Sequence, residues 1–140
     1  MKAFVSFLQE SRHHLLDSSH VRLVLGNTSA DCDSVVGSLA LAFFLHASTN
    51  QMWTPVINCQ RSEFKARVES WQHVVRDCKI QEERLVFWDD LPETKNIVEV
   101  CLFDHNQLDE EQAVALGSDT QSKVTRIVDH HVDNNFYPAS

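Results

Sequence analysis

Residues 21 to 46 read VRLVLGNTSADCDSVVGSLALAFFLH, and this stretch decides the fold class. The first five residues form an apolar run with β-branched side chains that ends at Gly26-Asn27, which predicts a buried strand over 21–25. From Ser34 to His46 the residues are mostly apolar, and Asp33 or Ser34 can cap them, which predicts a buried helix. A strand, a polar loop and a buried helix in succession are the repeating unit of an α/β protein.

The same alternation continues along the rest of the chain. Short apolar runs predict strands over 54–58, 85–88, 97–103 and 124–128, and amphipathic segments predict helices over 4–16, 63–78 and 109–116. Strands that alternate with helices favour parallel pairing, because each helix crosses over the sheet and covers one face. We therefore predict an α/β fold with a five-stranded parallel sheet flanked by helices on both faces.

The composition is that of one globular domain with a strong negative charge. The 140 residues include 20 acidic and 12 basic side chains, which give a net charge of −8. Such a charge repels polyanions, so we do not expect nucleic-acid binding through bulk electrostatics. No run of about 20 apolar residues occurs, so we expect no membrane-spanning helix. The start lacks a secretory signal and none of the four cysteines form a C-x-x-C pair, so we expect a cytoplasmic protein with free thiols.

Acidic and imidazole side chains directly follow three of the predicted strands. Asp31 and Asp33 follow the first strand, Asp104 follows the fourth, and Asp129-His130-His131 follows the fifth. The carboxyl ends of parallel strands lie at one edge of the sheet, where ligands bind, so these groups are expected to meet there. Carboxylates that gather without a cation repel one another, whereas Mg²⁺ or Mn²⁺ would hold them together.

Each of these groups also has a purely structural interpretation. Asp31 and Asp33 could cap the following helix, Asp104 could be a turn residue, and the two histidines could be exposed loop residues. Their coincidence at one edge of the sheet makes a metal site the better interpretation. Asp89-Asp90 follows the third predicted strand at the same edge, and there we favour capping because no histidine accompanies the pair.

The order of these residues resembles the first three motifs of the DHH phosphoesterase superfamily. The motifs are Gly26-Asn27-x-x-Ala30-Asp31-x-Asp33-Ser34, Asp104-His105-Asn106 and Asp129-His130-His131. The best match is the exopolyphosphatase and prune-like branch, beside the family II inorganic pyrophosphatases. The stretch from Pro55 to Arg67 is also similar to a segment of the exopolyphosphatases. The resemblance covers essentially the whole chain, and the ordered set of motifs makes it specific.

The resemblance implies a site for two divalent cations. Asp31 would bind one ion and Asp33 the other, Asp104 would bridge both, and His130 would complete the shell of the second ion. Asn27 is included as a ligand, at a position where the pyrophosphatases have histidine. Because an amide oxygen is a harder ligand than an imidazole nitrogen, Asn27 would favour Mg²⁺ over Mn²⁺.

The resemblance also implies the reaction and the catalytic residues. His131 would contact the phosphate as a hydrogen-bond donor or general acid, and Asp129 would orient the histidine pair. The ions would activate a water that attacks the terminal phosphorus of inorganic polyphosphate or another small phosphoanhydride. The implied function is therefore a metal-dependent hydrolase of exopolyphosphatase type.

Residues 1–140 would form the N-terminal, metal-binding catalytic domain of such an enzyme. The family's fourth motif, which is a further metal-binding aspartate, and its basic C-terminal domain do not occur in this sequence. We therefore expect little or no turnover by these 140 residues alone. Two alternatives stay open, namely a DHH-type phosphodiesterase acting on short or cyclic nucleotides and a non-catalytic interaction or regulatory module.

Overall fold

The computed structural model has the predicted α/β class, and it describes residues 1–93, 96–117, 119, 123–133 and 135–137. Its strands are β1 His20–Leu25, β2 Thr54–Val56, β3 Asn96–Phe103 and β4 Val124–Val128. Its α-helices are α1 Lys2–Asp17, α2 Cys32–Thr49, α3 Arg61–Phe64, α4 Val68–Trp71 and α5 Glu110–Leu116. The strands pair in parallel, in the order β2-β1-β3-β4.

Strand β1 lies at the centre of the core because its side chains are apolar on both faces of the sheet. Val24 packs with residues of α1 and α2 on one face, while Leu23 and Leu25 pack with Leu108 and Leu116 on the other. Burial of each such side chain contributes about 1.5–3 kcal/mol to stability. Two-sided burial is typical of a parallel sheet, and it confirms the prediction of helices on both faces.

The strand order places a crevice between the carboxyl ends of β1 and β3. From β1 the chain runs through α2 to β2 on one side, and from β2 it crosses back to β3 on the other side of β1. Where two connections leave in opposite directions, their loops separate and a ligand can bind between them. The segment from β1 into the first turn of α2 carries the predicted ligands Asn27, Asp31 and Asp33, and the loop after β3 carries Asp104, so the fold brings these four to the β1–β3 crevice.

Helix α2 approaches the end of β3 closely through a glycine. A Cβ atom added to Gly37 would overlap the ring atoms Cε1 and Cζ of Phe103. The absence of a side chain at Gly37 therefore allows the first turns of α2 to lie against the last residue of β3. This contact sets the position of Asp33, one turn earlier in α2, relative to the loop after β3.

Helix α2 is also long and apolar enough to cross a membrane, if its length and composition alone are considered. In the structure its Val35, Leu39 and Ala42 are buried in the core with Val24 of β1. A core helix of this length passes the same test, so composition does not distinguish the two cases.

The predicted strand over 85–88 is wrong, and within the described part of the chain the sheet has four strands rather than five. The segment makes one parallel bridge, between Phe87 and Ile57. Single turns of 3₁₀ helix at Glu82–Arg84 and Trp88–Asp90 bound the segment on both sides. The backbone between these turns is extended, but it is too short to continue the ladder beyond that bridge.

The predicted helix over 63–78 is divided. Helices α3 and α4 are separate, and α4 continues into a π-helical turn, Gln72–Asp77. Ser70 occupies a buried position in α4 because its hydroxyl donates a hydrogen bond to the Ala30 carbonyl at 2.8 Å. This hydrogen bond ties α4 to the loop after β1.

Asp90 holds the segment before β3 through ionic contacts, which agrees with the structural role expected for the Asp89-Asp90 pair. Its Oδ2 accepts hydrogen bonds from the guanidinium groups of Arg12 and Arg61 and from the backbone N–H of Phe87. Burial would raise the pKa of Asp90, but these three donors outweigh burial and lower the pKa below its usual value.

Replacing Asp90 by asparagine is expected to destabilise the fold by about 2 kcal/mol at neutral pH, because two partly buried guanidinium groups lose their anionic partner. Since the folded-state pKa is lowered, the carboxylate stabilises the fold above its unfolded pKa of about 4, and this contribution disappears as the pH falls through the folded-state value. Urea unfolding between pH 7 and pH 3 should therefore show the difference from wild type shrinking. Glu83→Gln, at an exposed position, is the control. A difference that does not change with pH would contradict the ionic explanation.

Candidate metal centre at the carboxyl ends of the strands

The loop that follows β1 is folded by its own polar side chains. The Asn27 N–H donates to Ser34 Oγ at 2.8 Å, and Asn27 Oδ1 accepts from the Ala30 N–H and the Ser29 hydroxyl. Gly26 is required beside Ser34, because an added Cβ would lie 2.7 Å from Ser34 Oγ. The turn places Ala30 in the left-handed backbone region, with φ 47°, and α2 begins two residues later.

Asp31 and Asp33 lie at the start of α2 and are both exposed. Asp31 occupies the N-cap position, yet its side chain makes no capping hydrogen bond. The structure therefore does not support the alternative in which Asp31 serves as a helix cap. Each of the two carboxylates instead offers an oxygen within 4.8 Å of the other and of an Asp104 oxygen.

Asp104 is buried between the loops, with only 4% of its side chain exposed. Its backbone φ of 62° lies in the left-handed region, which is uncommon for a residue with a side chain. Asn27 Nδ2 donates to Asp104 Oδ2 at 2.7 Å, and His130 Nε2 lies 3.0 Å from Oδ1. Burial and the carboxylates of Asp33 and Asp31 raise the pKa of Asp104. Burial in a crevice together with a pKa raised by neighbouring carboxylates is typical of a functional carboxylate.

The segment after β4 pairs a carboxylate with an imidazole. Asp129 Oδ1 lies 2.6 Å from His131 Nδ1, and since a carboxylate only accepts, that nitrogen carries a proton. The hydrogen bond to Asp129, together with the charges of Asp104 and Asp33, raises the pKa of His131. Burial would raise the pKa of Asp129, but hydrogen bonds from His131 and Asn106 outweigh it and lower the pKa. The imidazole is therefore held by Nδ1, with Nε2 on the opposite side of the ring.

The structure brings four of the five predicted ligands, and the predicted catalytic residue His131, together in two groups that share one carboxylate. The first group is Asp31, Asp33 and Asp104, and the second is Asp104, His130 and His131, with the potential ligand atoms of each group within 4.8 Å of one another. Carboxylate oxygens and imidazole nitrogens suit Mg²⁺ and Mn²⁺, and a shared carboxylate suits two ions about 3.5–4 Å apart. The donor set thus fits the pair of divalent cations that the resemblance implies.

Asn27 gives its amide N–H to Asp104, while its oxygen is used inside the loop. Because the Ala30 N–H can only donate, its contact with Asn27 Oδ1 at 3.1 Å fixes which end of the amide faces Asp104. The role of Asn27 as a metal ligand stays a prediction. It requires the amide to exchange these hydrogen bonds for a bond to the ion.

Two further residues of the second motif make contacts that the sequence did not reveal. His105 Nε2 lies 3.1 Å from the carbonyl of Leu25, at the end of β1. Asn106 donates to Asp129 and to the carbonyl of Val132. In the sequence, only the adjacency of His105 and Asn106 to the predicted ligand Asp104 indicated that they belong to the site. Their contact partners are too distant in the sequence to be inferred from this adjacency.

The crevice beside His131 contains an open space of about 380 Å³. Its lining includes the hydroxyl residues Thr28 and Ser29 and the amide of Asn106, and among the residues that the structure describes none that line it is lysine or arginine. The net charge of the chain is −8. Cations bound at the carboxylates would attract an anionic ligand to this space.

The chain is similar to curated exopolyphosphatases. Exopolyphosphatase PRUNE1 of Rattus norvegicus is 30% identical over 139 residues, which cover 94% of this chain and 29% of that protein. Exopolyphosphatase PRUNE1 of Homo sapiens is 37% identical over 87 residues, which cover 61% and 19%. A putative exopolyphosphatase of Schizosaccharomyces pombe is 30% identical over 135 residues, which cover 89% and 34%. The chain thus spans about 30% of the length of the curated relatives it matches. No family model matches it, and no solved structure gives a significant match.

Proposed function

Because this chain belongs to the exopolyphosphatase and prune-like branch of the DHH phosphoesterase superfamily, we propose that residues 1–140 form the metal-binding, catalytic domain of a phosphoanhydride hydrolase. The proposed reaction is release of the terminal phosphate from inorganic polyphosphate. The observation that supports it best is the position of Asp104, a buried carboxylate common to two groups of potential ligands. The names of the relatives support a phosphoanhydride as substrate.

Five side chains would hold the two cations, which we propose to be Mg²⁺ or Mn²⁺. These residues are Asn27, Asp31, Asp33, Asp104 and His130. When bound, the ions would neutralise the phosphate chain and activate a water for in-line attack. In the metal-free chain the hydrogen bond from Asn27 Nδ2 holds Oδ2 of Asp104 at 2.7 Å, and Asn27 would exchange it for a bond to the ion.

His131 would supply a proton to the bridging oxygen of the shortened polyphosphate chain, as the bond between that oxygen and the terminal phosphorus breaks. Its Nδ1–H is held by Asp129, so a second proton on the ring resides on Nε2, away from Asp129. The hydrogen bond to Asp129 raises the pKa of His131, so a larger fraction of the ring carries both protons at neutral pH. A positioned general acid of this kind contributes about 10²–10⁴-fold to rate.

Calorimetric titration with Mg²⁺ and Mn²⁺ tests the metal-binding half of the proposal. We expect both ions to bind to the purified chain and to release protons as they bind, because ligands must be deprotonated. If the chain binds neither ion at millimolar concentration, the interpretation as a non-catalytic module is favoured instead.

Phosphate release tests the catalytic half. Since little turnover is expected of these residues alone, the assay uses a chimera in which this chain replaces the segment of the rat relative that it matches. We expect Mg²⁺-dependent phosphate release from polyphosphate, and its loss when Asp104 is replaced by asparagine. Pyrophosphate and a dinucleotide are assayed in parallel, and preferential cleavage of the dinucleotide would identify a phosphodiesterase. Rapid phosphate release by the isolated 140 residues would contradict the expected low turnover.

Replacing Asn27 by histidine is expected to raise the ratio of Mn²⁺ to Mg²⁺ affinity by about 10-fold or more, because imidazole nitrogen is a softer ligand than an amide oxygen. Calorimetric dissociation constants for both ions give the ratio directly. Asn50→His, which places the same side chain at the far end of α2, is the matched control. An unchanged ratio in Asn27→His would mean that position 27 does not select the metal.

A further inference from the structure

Residues 129–132 carry both site histidines, yet this segment has little packing to hold it. The side chains of His130 and His131 are 74% and 55% exposed, and Val132 is 84% exposed. Apolar burial, which fixes most of the core, therefore contributes little here. The orientation of the histidines must depend on polar contacts.

Asn106 contacts both ends of this segment from the loop after β3. Its Nδ2 donates to Asp129 Oδ2 at 2.8 Å and to the Val132 carbonyl at 2.9 Å. Both partners are acceptors, so only the NH₂ end of the amide can make these contacts. One amide group thus brackets the two histidines, and we refer to Asn106, Asp129 and Val132 as the clasp.

The clasp connects to the imidazole of His131 through the second oxygen of Asp129. While Oδ2 of Asp129 accepts from Asn106, Oδ1 lies 2.6 Å from His131 Nδ1. With both oxygens engaged, rotation of the carboxylate is restricted and the ring is held at one angle. Groups that orient ligands in this way affect metal affinity by about 10–100-fold.

From this geometry we infer that Asn106 is a positioning residue. It acts through Asp129 to set the orientation of the His131 ring and its tautomer, and it thereby also affects the placement of His130. The functional meaning of this inference rests on the proposed metal centre. The clasp itself is a property of the metal-free chain, and it can be tested whether or not the chain binds a cation.

The decisive variants are Asn106→Asp, which keeps the shape but removes both donors, and Asn106→Ala, which removes the amide altogether. Ring ¹⁵N chemical shifts of His131 in the metal-free chain, at alkaline pH where the ring is neutral, report which nitrogen carries the proton. In the wild type we expect Nδ1–H. In both variants we expect a shift towards the Nε2–H form that histidine prefers in water. Gln107→Ala, at the next and exposed position of the same loop, is the control and should keep the wild-type signature.

A second measurement, Mn²⁺ affinity by calorimetry, links the clasp to the proposed centre. We expect affinity to fall about 10–100-fold in Asn106→Ala and further in Asn106→Asp, where two carboxylates face each other. Asn106→Gln keeps the donors on a longer side chain and should recover part of the loss. A wild-type ring signature in both Asn106→Ala and Asn106→Asp would overturn the inference, and so would a lower melting temperature without any change in the His131 signature. If the wild-type chain binds no Mn²⁺, the proposed metal centre is contradicted. The ¹⁵N chemical shifts of His131 still test whether the clasp orients the ring.

Discussion

Replacement of Asp104 by asparagine is expected to abolish divalent-cation binding and, at the same time, to stabilise the metal-free protein. Asp104 supplies the carboxylate shared by the two groups of potential ligands, so one substitution removes an anionic ligand from both. We expect Mn²⁺ affinity to fall by more than about 100-fold, since removal of a ligand costs more than removal of an orienting neighbour. Calorimetric titration measures this loss.

The gain in stability follows from the direction of the pKa shift. Burial and the nearby Asp33 and Asp31 raise the pKa of Asp104, so the folded state binds this proton more tightly than the unfolded state does. The stability of the metal-free protein therefore decreases as the pH rises through the two pKa values, and at neutral pH the charged side chain opposes folding. Asparagine carries no charge and tolerates the left-handed backbone at φ 62°. We expect a gain of about 1 kcal/mol in the free energy of unfolding.

Urea unfolding in the presence of a chelator measures that gain, and Glu83→Gln controls for removal of a negative charge elsewhere on the surface. The site interpretation would be contradicted by an Asp104→Asn protein that still binds Mn²⁺ within a few-fold of the wild-type affinity. A variant that loses both metal binding and stability would show that Asp104 has a structural role instead.

Substitution of Gly37 by valine is expected to cost about 3 kcal/mol of stability, because the new side chain would overlap the Phe103 ring. The replacement of glycine should otherwise favour a helix by a few tenths of a kcal/mol, so a net loss reports the overlap. Phe103 immediately precedes Asp104, so we also expect weaker Mn²⁺ binding in this variant. Thermal and urea unfolding measure the first effect, and calorimetry measures the second.

Ala40→Val, at an exposed position one turn further along α2, is the matched control and should change stability by less than about 1 kcal/mol. The double variant Gly37→Val/Phe103→Ala should recover part of the lost stability, because alanine lacks the ring atoms that overlap the valine. Equal effects of Gly37→Val and Ala40→Val would mean that close packing of α2 on β3 is unimportant.

The fold could be predicted from the sequence wherever a residue pattern and its structural consequence lie in the same segment. Strand β1 and helix α2 follow from the apolar run at 21–25 and the apolar stretch after Asp33. The segment 85–88 has the same apolar character, but the 3₁₀ turns on either side of it limit it to one bridge. The helix predicted over 63–78 is divided between Phe64 and Val68, and the Ser70 hydroxyl ties its second part to Ala30, which is 40 residues away. Neither the 3₁₀ turns nor the Ser70–Ala30 hydrogen bond can be inferred from the local residue pattern.

The location of the candidate site was likewise predictable, whereas its internal contacts were not. Each predicted ligand group directly follows a strand or its loop, so the parallel sheet alone brings Asp31, Asp33 and Asp104 to one edge. The direction of the Asn27 amide depends on the Ala30 N–H, and the contacts of Asn106 depend on how β4 ends. Such contacts are set by backbone geometry, which the residue types alone do not specify.

The β1–β3 crevice joins parts of the polypeptide that are synthesised at different times, since Asn27 and Asp104 are 77 residues apart. A cation bound across this crevice would link the earlier and later parts of the chain, much as a covalent cross-link does. At a free concentration 100 times its dissociation constant, the ion would add about 2.7 kcal/mol to the free energy of unfolding. The supply of metal would then govern how long each molecule survives proteolysis.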